Sequence, residues 1–414
     1  MNDPATTAHQ GRGRRVAAMV LLVGMLLTAC AQSTERRLVD GYFEEITEQP
    51  FYTLPSPVPA GQPGDIVRTE QLKSAPDGTL AWRILYHSTD ASGADIVTSG
   101  TVITPTAAAP AGGRVVVGWA HPTTGAVAKC APSNGIDPFD LIEGMTDLLN
   151  AGYAVAAADY PGLGVAGPSS YLIGTTEGNS VLDAIRAAAK MPETGASNSS
   201  DVLLWGHSQG GQAALFAGQD ATSYAPELQV KAVAVAAPAA DLGALLNDHT
   251  DDISGVTIGS YAYAAYQAAY SSRFPGLSLD SVLTPAGAAA TPAMVQLCLL
   301  GQLDKLHAEA DPLIGHYTRV DPATTEPWAT LLSENTPGAE PLGVPLFVAQ
   351  GVTDTLVLLS ATEGFVAKQC AAGEHVVFQT YPDTGHGEVA LKAIPDLIPF
   401  FKGALAGTPP ASTC

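Results

Sequence analysis

The sequence has little charge of either sign, and basic residues are the scarcer kind. Its 414 residues include 19 Lys and Arg against 40 Asp and Glu, which gives a formal net charge of −21 at pH 7. Because a chain this acidic repels phosphate groups, the composition excludes nucleic-acid binding. Cysteine is also scarce, and neither a CxxC nor an HExxH pattern occurs. The sequence therefore indicates no metal site, and no feature of it calls for a cofactor.

Long apolar runs are missing from the sequence except near its start. The run VAAMVLLVGMLL (16–27) follows three arginines and leads into LTAC (27–30). About a dozen apolar residues are too few to span a bilayer comfortably but are typical of a signal peptide. The small residues directly before Cys30 resemble the lipobox of bacterial lipoproteins, in which the cysteine is lipidated. We expect a signal peptide over 1–29, a tether over 30–50 and an exported protein anchored to the cell membrane, with ordinary secretion as the alternative.

Short apolar runs alternate with helix-like stretches along most of the chain. Two early runs, 80–88 and 94–105, are typical of an antiparallel pair of strands. Six later runs are mostly continuous in apolar residues, as expected of parallel strands covered on both faces. These six are 114–121, 153–159, 201–207, 231–238, 345–351 and 375–382. With helix-like stretches such as 179–191 between them, the pattern predicts an α/β fold with a mostly parallel sheet.

One interval, residues 241–343, breaks this rhythm because it contains no strand-like run. Its stretches 260–272 and 294–306 are typical of helices instead. A helical insertion of about a hundred residues within an α/β sheet is best explained as a cap over the strand ends. The body of the protein is then expected in two parts, 51–240 and 344–414. Tyrosines of the cap that either line an acyl channel or pack in its core are Tyr263, Tyr266 and Tyr270.

A serine between glycines is the strongest chemical signal. The segment GHSQG (206–210) places Ser208 after an apolar run and before a helix-like stretch rich in small residues. The letters alone are a weak signal, since a tight turn with an incidental serine has them too. Their position fits a nucleophile elbow, the sharp strand-to-helix turn that presents a serine above an α/β sheet. Glycines suit both sides of the serine because its strained backbone brings neighbouring chain close.

A serine hydroxyl becomes a nucleophile when a base accepts its proton and a carboxylate orients that base. After a nucleophile elbow the acid precedes the histidine in the chain. His386, between two glycines just after the last apolar run, is the expected base, whereas His375 lies inside that run and is expected to be structural. Asp354, after the penultimate run, is the expected acid. Asp241, one strand earlier, is the alternative, and Asp383 is too near the histidine in sequence.

The negative charge that develops on a reacting carbonyl oxygen requires backbone N–H donors. One donor is expected from Gln209, at the start of the helix after the serine, and the other from the loop HPTTG (121–125). Pro122 has no N–H group. Thr123 is therefore the expected second donor, with Thr124 as the alternative, and the Thr123 hydroxyl can add a further bond.

Another motif, GLGVAG (162–167), has the glycine spacing of a dinucleotide-binding turn. Pro168 follows at a position where the helix of a dinucleotide-binding turn should already have begun. No acidic residue ends a second strand about twenty residues further on. These two departures argue against an oxidoreductase. His121 and His207 adjoin the predicted site, but both precede Ser208, which is the wrong side in chain order.

Several segments taken together resemble the secretory lipase family of α/β-hydrolases. They are WAHPTTG (119–125), DYPGLG (159–164), TTEGNSVLDAIRAA (175–188), GHSQGGQAA (206–214) and the late pair Asp354 and His386. The resemblance extends over nearly everything from about residue 38 to 403. It implies an α/β-hydrolase fold, hydrolysis of lipid or other acyl esters, and a helical cap over the acyl site. The chain departs from its relatives in having WAHP where Gly often precedes the His, and in its expected lipid anchor.

Two other functions remain open. An acyltransferase or polymer esterase of the cell envelope would use the same three side chains. A non-catalytic lipid-binding lipoprotein would keep the fold, but the presence of Ser208, Asp354 and His386 argues against it. We therefore expect a serine carboxylic-ester hydrolase of lipase type that acts on an acyl ester or lipid through an acylated Ser208.

The four cysteines beyond Cys30 form an even set, which in an exported chain indicates two disulfides. Three pairings are possible, and four reduced cysteines are the alternative. Cys130 lies just past the predicted oxyanion loop and Cys298 in the predicted cap, so a bond between them would tie the cap beside the site. Cys370 and Cys414 would then fasten the C-terminal tail to the body.

Overall fold

The computed structural model describes residues 50–135, 137–197 and 199–414. The expected signal peptide, Cys30 and all but the last residue of the expected tether lie outside these ranges.

The described strands are β1 (Ile66–Leu72), β2 (Thr79–Thr89), β3 (Asp95–Pro105), β4 (Val116–Ala120), β5 (Ala154–Ala158), β6 (Asp201–His207), β7 (Gln229–Ala236), β8 (Leu346–Gly351) and β9 (Val376–Tyr381). The described α-helices are α1 (Met145–Asn150), α2 (Gly174–Ala189), α3 (Gln209–Tyr224), α4 (Leu242–Asp248), α5 (Ile253–Tyr270), α6 (Leu279–Val282), α7 (Pro285–Val295), α8 (Leu299–Ala310), α9 (Trp328–Glu334), α10 (Leu359–Ala371) and α11 (His386–Leu405). Short 3-10 helices are Pro50–Tyr52, Ala128–Cys130, Pro132–Asn134, Pro138–Leu141, Pro192–Thr194 and Asp311–Leu313.

These strands form one sheet in the order β1-β2-β3-β5-β4-β6-β7-β8-β9. The first three strands and β5 pair antiparallel in succession, and all pairs from β5 to β9 are parallel. In the parallel part Ala120 lies opposite Gly206, and Gly206 lies opposite Val235. The carboxyl ends of β4, β6 and β7 therefore lie side by side at one edge of the sheet.

The central strands are buried from end to end because helices cover both faces of the sheet. Every residue of β4, β5 and β8 is buried. Trp119 and Trp205 pack in the apolar cluster on one face, and Val116 and Leu204 in the cluster on the other. This explains the continuous apolar runs, since neither face of a parallel strand meets water.

All eight predicted strands are confirmed, with boundaries within two residues of the apolar runs. β1 has no counterpart among the predicted strands. Its sequence, IVRTEQL, is largely polar, and three of its seven residues are exposed. An edge strand with one open side tolerates such a sequence. The helix predicted over 179–191 begins earlier, at Gly174.

Between β7 and β8 the chain folds into α4 to α9, and we call residues 241–343 the inserted segment. The prediction of one helix over 294–306 is wrong, because α7 ends at Val295 and α8 begins at Leu299. The residue between them that forms a disulfide, Cys298, has an extended backbone with φ −80° and ψ 140°. The backbone is again non-helical over 300–302, and Gly301 within this stretch has φ 92°.

Two disulfides link distant parts of the described chain. They join Cys130 to Cys298 and Cys370 to Cys414, each with a Cα–Cα distance of 5.4 Å. These are the pairs that the sequence favours. Among the described helices, none combines the length and the apolar character needed to cross a membrane.

Candidate active site

Ser208 lies at the tight junction between β6 and α3. Its backbone has φ 58° and ψ −118°, a conformation that non-glycine residues rarely adopt and that is concentrated at functional sites. The flanking glycines are required by close approach. A Cβ on Gly206 would lie 2.0 Å from the carbonyl oxygen of Gly210, and a Cβ on Gly210 would lie 1.9 Å from that of Ala120. The serine is thus held where three segments of backbone meet.

His386 is the first residue of α11, directly after the turn that follows β9. Its Nε2 atom is 2.9 Å from Ser208 Oγ, and its Nδ1 atom is 2.8 Å from Asp354 Oδ2. A neutral ring that donates its Nδ1–H to the carboxylate leaves Nε2 free to accept the serine proton. The structure therefore brings the three predicted side chains together in one chain of hydrogen bonds.

Asp354 follows β8, and its side chain is fully buried. Its Oδ1 atom accepts hydrogen bonds from the backbone N–H groups of Leu356, at 2.8 Å, and Val357, at 2.9 Å. Gln350 Nε2 donates to the other oxygen at 3.2 Å. Burial alone would raise the pKa of Asp354, but the bonds from His386 and the two backbone groups hold that pKa below its usual value. The carboxyl group is therefore ionised at neutral pH.

The pKa of His386 lies below its ordinary value of 6.5. Burial is the main cause, and it outweighs the opposing hydrogen bond to Asp354. A second histidine, His207, adds to the lowering from its position beside the ring. That histidine has its Nδ1 atom 2.7 Å from Glu143 Oε1. The sequence gives no signal for Glu143, which lies far upstream of the serine in an irregular loop.

The alternative acid and base residues have other roles. Asp241 begins α4 as its N-cap and accepts a hydrogen bond from the N–H group of Ala244 at 3.0 Å. His375 has its Nε2 atom 2.8 Å from the carbonyl oxygen of Pro410, near the C-terminal tail. Asp383 is exposed in the turn before His386 and has φ 51°. The side chain of Asp241 thus serves the start of a helix and that of His375 the attachment of the tail, while Asp383 forms part of a turn.

Two backbone groups predicted to bind an oxyanion lie beside the serine. Gln209 is the first residue of α3, where an N–H group has no acceptor within the helix. Thr123 lines the cavity that also contains Ser208 and His386. The Thr123 hydroxyl is 2.9 Å from the hydroxyl of Tyr171. Either hydroxyl can be the donor in that bond, so Thr123 keeps its hydroxyl as well as its backbone N–H as groups that it can offer to a substrate.

Two further features bear on cofactors. Within the described ranges, no group of three or more His, Cys, Asp or Glu side chains is placed to hold a metal ion. The glycines of GLGVAG serve the turn after β5, where Gly162 and Gly164 have φ 92° and 69°. A Cβ on Gly164 would lie 2.1 Å from Ser99 Oγ, so close packing explains this glycine.

The model of one protein family, described as secretory lipase, matches residues 140–413. The chain belongs to the secretory lipase family. Over 381 residues it is 24% identical to a protein of Mycobacterium tuberculosis described as a probable inactive lipase, with 88% of this chain and 83% of the relative covered. Over 397 residues it is 23% identical to lipase A of Moesziomyces aphidis, with 89% and 82% covered. Membership of this family supports export and an ester or lipid as substrate.

Solved structures show the same architecture. The crystal structure of Candida antarctica lipase A superposes with a TM-score of 0.73 at 20% identity, covering 88% of this chain and 87% of that one. At this identity the match concerns the fold alone. The prediction of an α/β-hydrolase fold is confirmed.

Proposed function

We propose that the protein is a serine carboxylic-ester hydrolase that forms an acyl-Ser208 intermediate. The observation that carries the proposal is the unbroken hydrogen-bond chain from Asp354 through His386 to Ser208 Oγ. The strained backbone at the serine supports it, because such strain persists where function requires an exposed nucleophile. Membership of a lipase family is consistent with the same chemistry.

The geometry suggests the order of steps. Ser208 Oγ attacks the ester carbonyl carbon while His386 Nε2 accepts the hydroxyl proton. The N–H groups of Gln209 and Thr123 stabilise the negative oxygen of the tetrahedral intermediate. His386 then gives its proton to the departing alcohol, which leaves the acyl group on the serine. A water molecule activated by the same ring releases the acid and restores the free hydroxyl.

One relative is described as a probable inactive lipase, so membership of the family does not by itself establish activity in this chain. Here the serine, the histidine and the aspartate are all present and within hydrogen-bond distance. The pKa directions also suit catalysis, since they leave His386 neutral and Asp354 charged at pH 7. These features favour an active enzyme.

The test is hydrolysis of p-nitrophenyl esters with and without a serine-directed phosphonate. Ser208→Ala should lower kcat by a factor on the order of 10⁶ and abolish covalent labelling. Ser223→Ala, at the far end of the same helix, is the matched control and should keep full activity. Release of free acid, measured directly, distinguishes hydrolysis from acyl transfer. A wild-type protein that neither hydrolyses esters nor takes up the phosphonate would refute the proposal.

We further propose that the inserted segment, 241–343, is the cap over the site, with the body formed by 51–240 and 344–414. Thr257 of α5 and Leu299 of α8 line the cavity in front of the serine, which supports this division. Changes in the cap should alter substrate choice, whereas changes in the triad should alter rate.

Lipidation at Cys30, after removal of residues 1–29, is proposed as the form of attachment. Cys30→Ser should then move the protein from the membrane fraction into the medium or block its processing. The same soluble distribution for wild type and variant would rule this out.

A further inference from the structure

The cavity in front of Ser208 is small. Its volume is about 130 Å³, and it is lined by the serine, by His386 and by side chains of the inserted segment. Pockets that hold drug-sized ligands measure about 300–1,000 Å³. A long acyl chain cannot be enclosed in this volume unless the inserted segment moves.

A disulfide and a backbone hydrogen bond oppose that movement on one side. Cys130, in the body, is bonded to Cys298, directly before α8. The next residue, Leu299, lines the cavity and donates its N–H to the carbonyl oxygen of Thr124 at 2.8 Å. The wall of the cavity formed by Leu299 is therefore attached to the loop that carries the proposed oxyanion donor Thr123.

A second attachment lies at the start of the inserted segment. His249 has its Nε2 atom 2.7 Å from the carbonyl oxygen of Leu356, which belongs to the loop after Asp354. The other ring nitrogen of His249 is 2.5 Å from Asp252, the residue whose side chain caps α5. The helix that carries Thr257 and the loop that carries the acid are thus held together.

The outer surface offers little to a lipid aggregate. In the described part of the chain, the large apolar side chains that are exposed are Val58, Val352 and Leu391. None of them belongs to the inserted segment, and they are far apart in sequence. Single exposed apolar residues are normal, whereas a membrane-binding face is a contiguous patch.

We propose that the substrates are esters of short acyl groups, taken from solution and not from a lipid aggregate. This inference rests on the proposed hydrolase function and assigns its substrate class. Ile258 and Leu299 set the chain-length limit, because they are the apolar side chains of the inserted segment that line the cavity.

The experiment measures kcat/KM of the full-length protein on p-nitrophenyl acetate, butyrate, octanoate and palmitate. The short esters should be the best substrates, and octanoate should fall below butyrate by at least about tenfold, within the range that pocket contacts supply. Activity on tributyrin should show no jump when the substrate begins to form an emulsion. A preference for octanoate or palmitate, or a jump at the emulsion boundary, would overturn the inference.

Variants of Ile258 and Leu299 test whether these residues set the chain-length limit. Ile258→Ala and Leu299→Ala should each raise the octanoate-to-butyrate ratio of kcat/KM several-fold. Ile253→Ala is the matched control, since Ile253 is a partly buried isoleucine of the same helix that does not line the cavity. An unchanged ratio in both cavity variants would contradict the assignment. If either fails to fold, the wild-type profile still decides the substrate class.

Phosphonate labelling separates this inference from the proposed function. Labelling at Ser208 together with a long-chain preference overturns the substrate class alone. Absence of both labelling and ester hydrolysis overturns the hydrolase function itself.

Discussion

The imidazole ring of His207 lies against that of His386, with 4.9 Å between the ring centroids. The residue next to the proposed nucleophile therefore contacts the proposed base. Its orientation is fixed by Glu143, whose Oε1 atom is 2.7 Å from His207 Nδ1. The interaction with His207 lowers the pKa of His386, so His207 influences the pH at which the proposed base becomes active.

The first prediction concerns the acid limb of the pH–rate profile. His386 must be neutral to accept the serine proton, so kcat/KM should fall as pH drops through its pKa. Because burial lowers that pKa below 6.5, the midpoint of the fall should lie below pH 6.5. A profile of kcat/KM between pH 4 and pH 8 measures it. A midpoint above 7, or a rate that stays flat down to pH 4, would show that this histidine is not the base.

The second prediction concerns His207. His207→Gln removes the side chain whose interaction lowers the pKa of His386 and leaves Glu143, whose interaction raises that pKa. The midpoint of the acid limb should move upward, by up to about one pH unit. His375→Gln is the control, since His375 bonds to Pro410 near the tail. A downward movement, or an equal shift in the control, would refute this role.

The third prediction distinguishes the two candidate acids. Asp354→Asn should lower kcat by about 10⁴, because the amide no longer holds the ring in the productive tautomer. Asp241→Asn should leave both kcat and stability nearly unchanged, since asparagine caps a helix as well as aspartate does. Steady-state kinetics of both variants decide the assignment. A large loss of kcat in Asp241→Asn, together with a normal kcat in Asp354→Asn, would reverse the assignment of the acid.

The fourth prediction concerns the elbow glycines. Gly210→Ala would place a Cβ 1.9 Å from the carbonyl oxygen of Ala120, so the strand and helix must separate. We expect a loss of about 1–3 kcal/mol or more in the free energy of unfolding. Gly364→Ala, in α10, meets no atom within 4 Å and should gain about 0.5–1 kcal/mol instead. Urea unfolding of the two variants makes the comparison, and equal stability would show that the junction is not tight.

The parts of the fold that depend on a short stretch of sequence could be predicted. The run before Ser208 must be a strand and the stretch after it a helix, and both follow from apolar pattern and small residues. Chain order and strand ends limit the candidates for the acid and the base to a few residues, and the structure places Asp354 and His386 within hydrogen-bond distance of each other. Their hydrogen-bond distances depend on the packing of β8 and β9, which no short pattern encodes.

Other features were out of reach because they arise from tertiary contacts. Glu143 meets His207 only when an irregular loop folds over the end of β6. The break before Leu299 lies at a disulfide to a distant loop, although the sequence there is typical of a helix. The polar strand β1 gains its stability from pairing with β2 and not from its own pattern.

The bond between Cys130 and Cys298 also determines what a single proteolytic cut can do. An exposed turn at 271–273 lies between these cysteines and includes Arg273, a site for trypsin. Cleavage there yields one piece with Ser208 and another with Asp354 and His386. The two pieces remain joined through the disulfide. The nicked molecule should migrate as one species until it is reduced. Its hydrolytic activity should depend on the disulfide, because the peptide chain no longer connects the piece with Ser208 to the piece with Asp354 and His386.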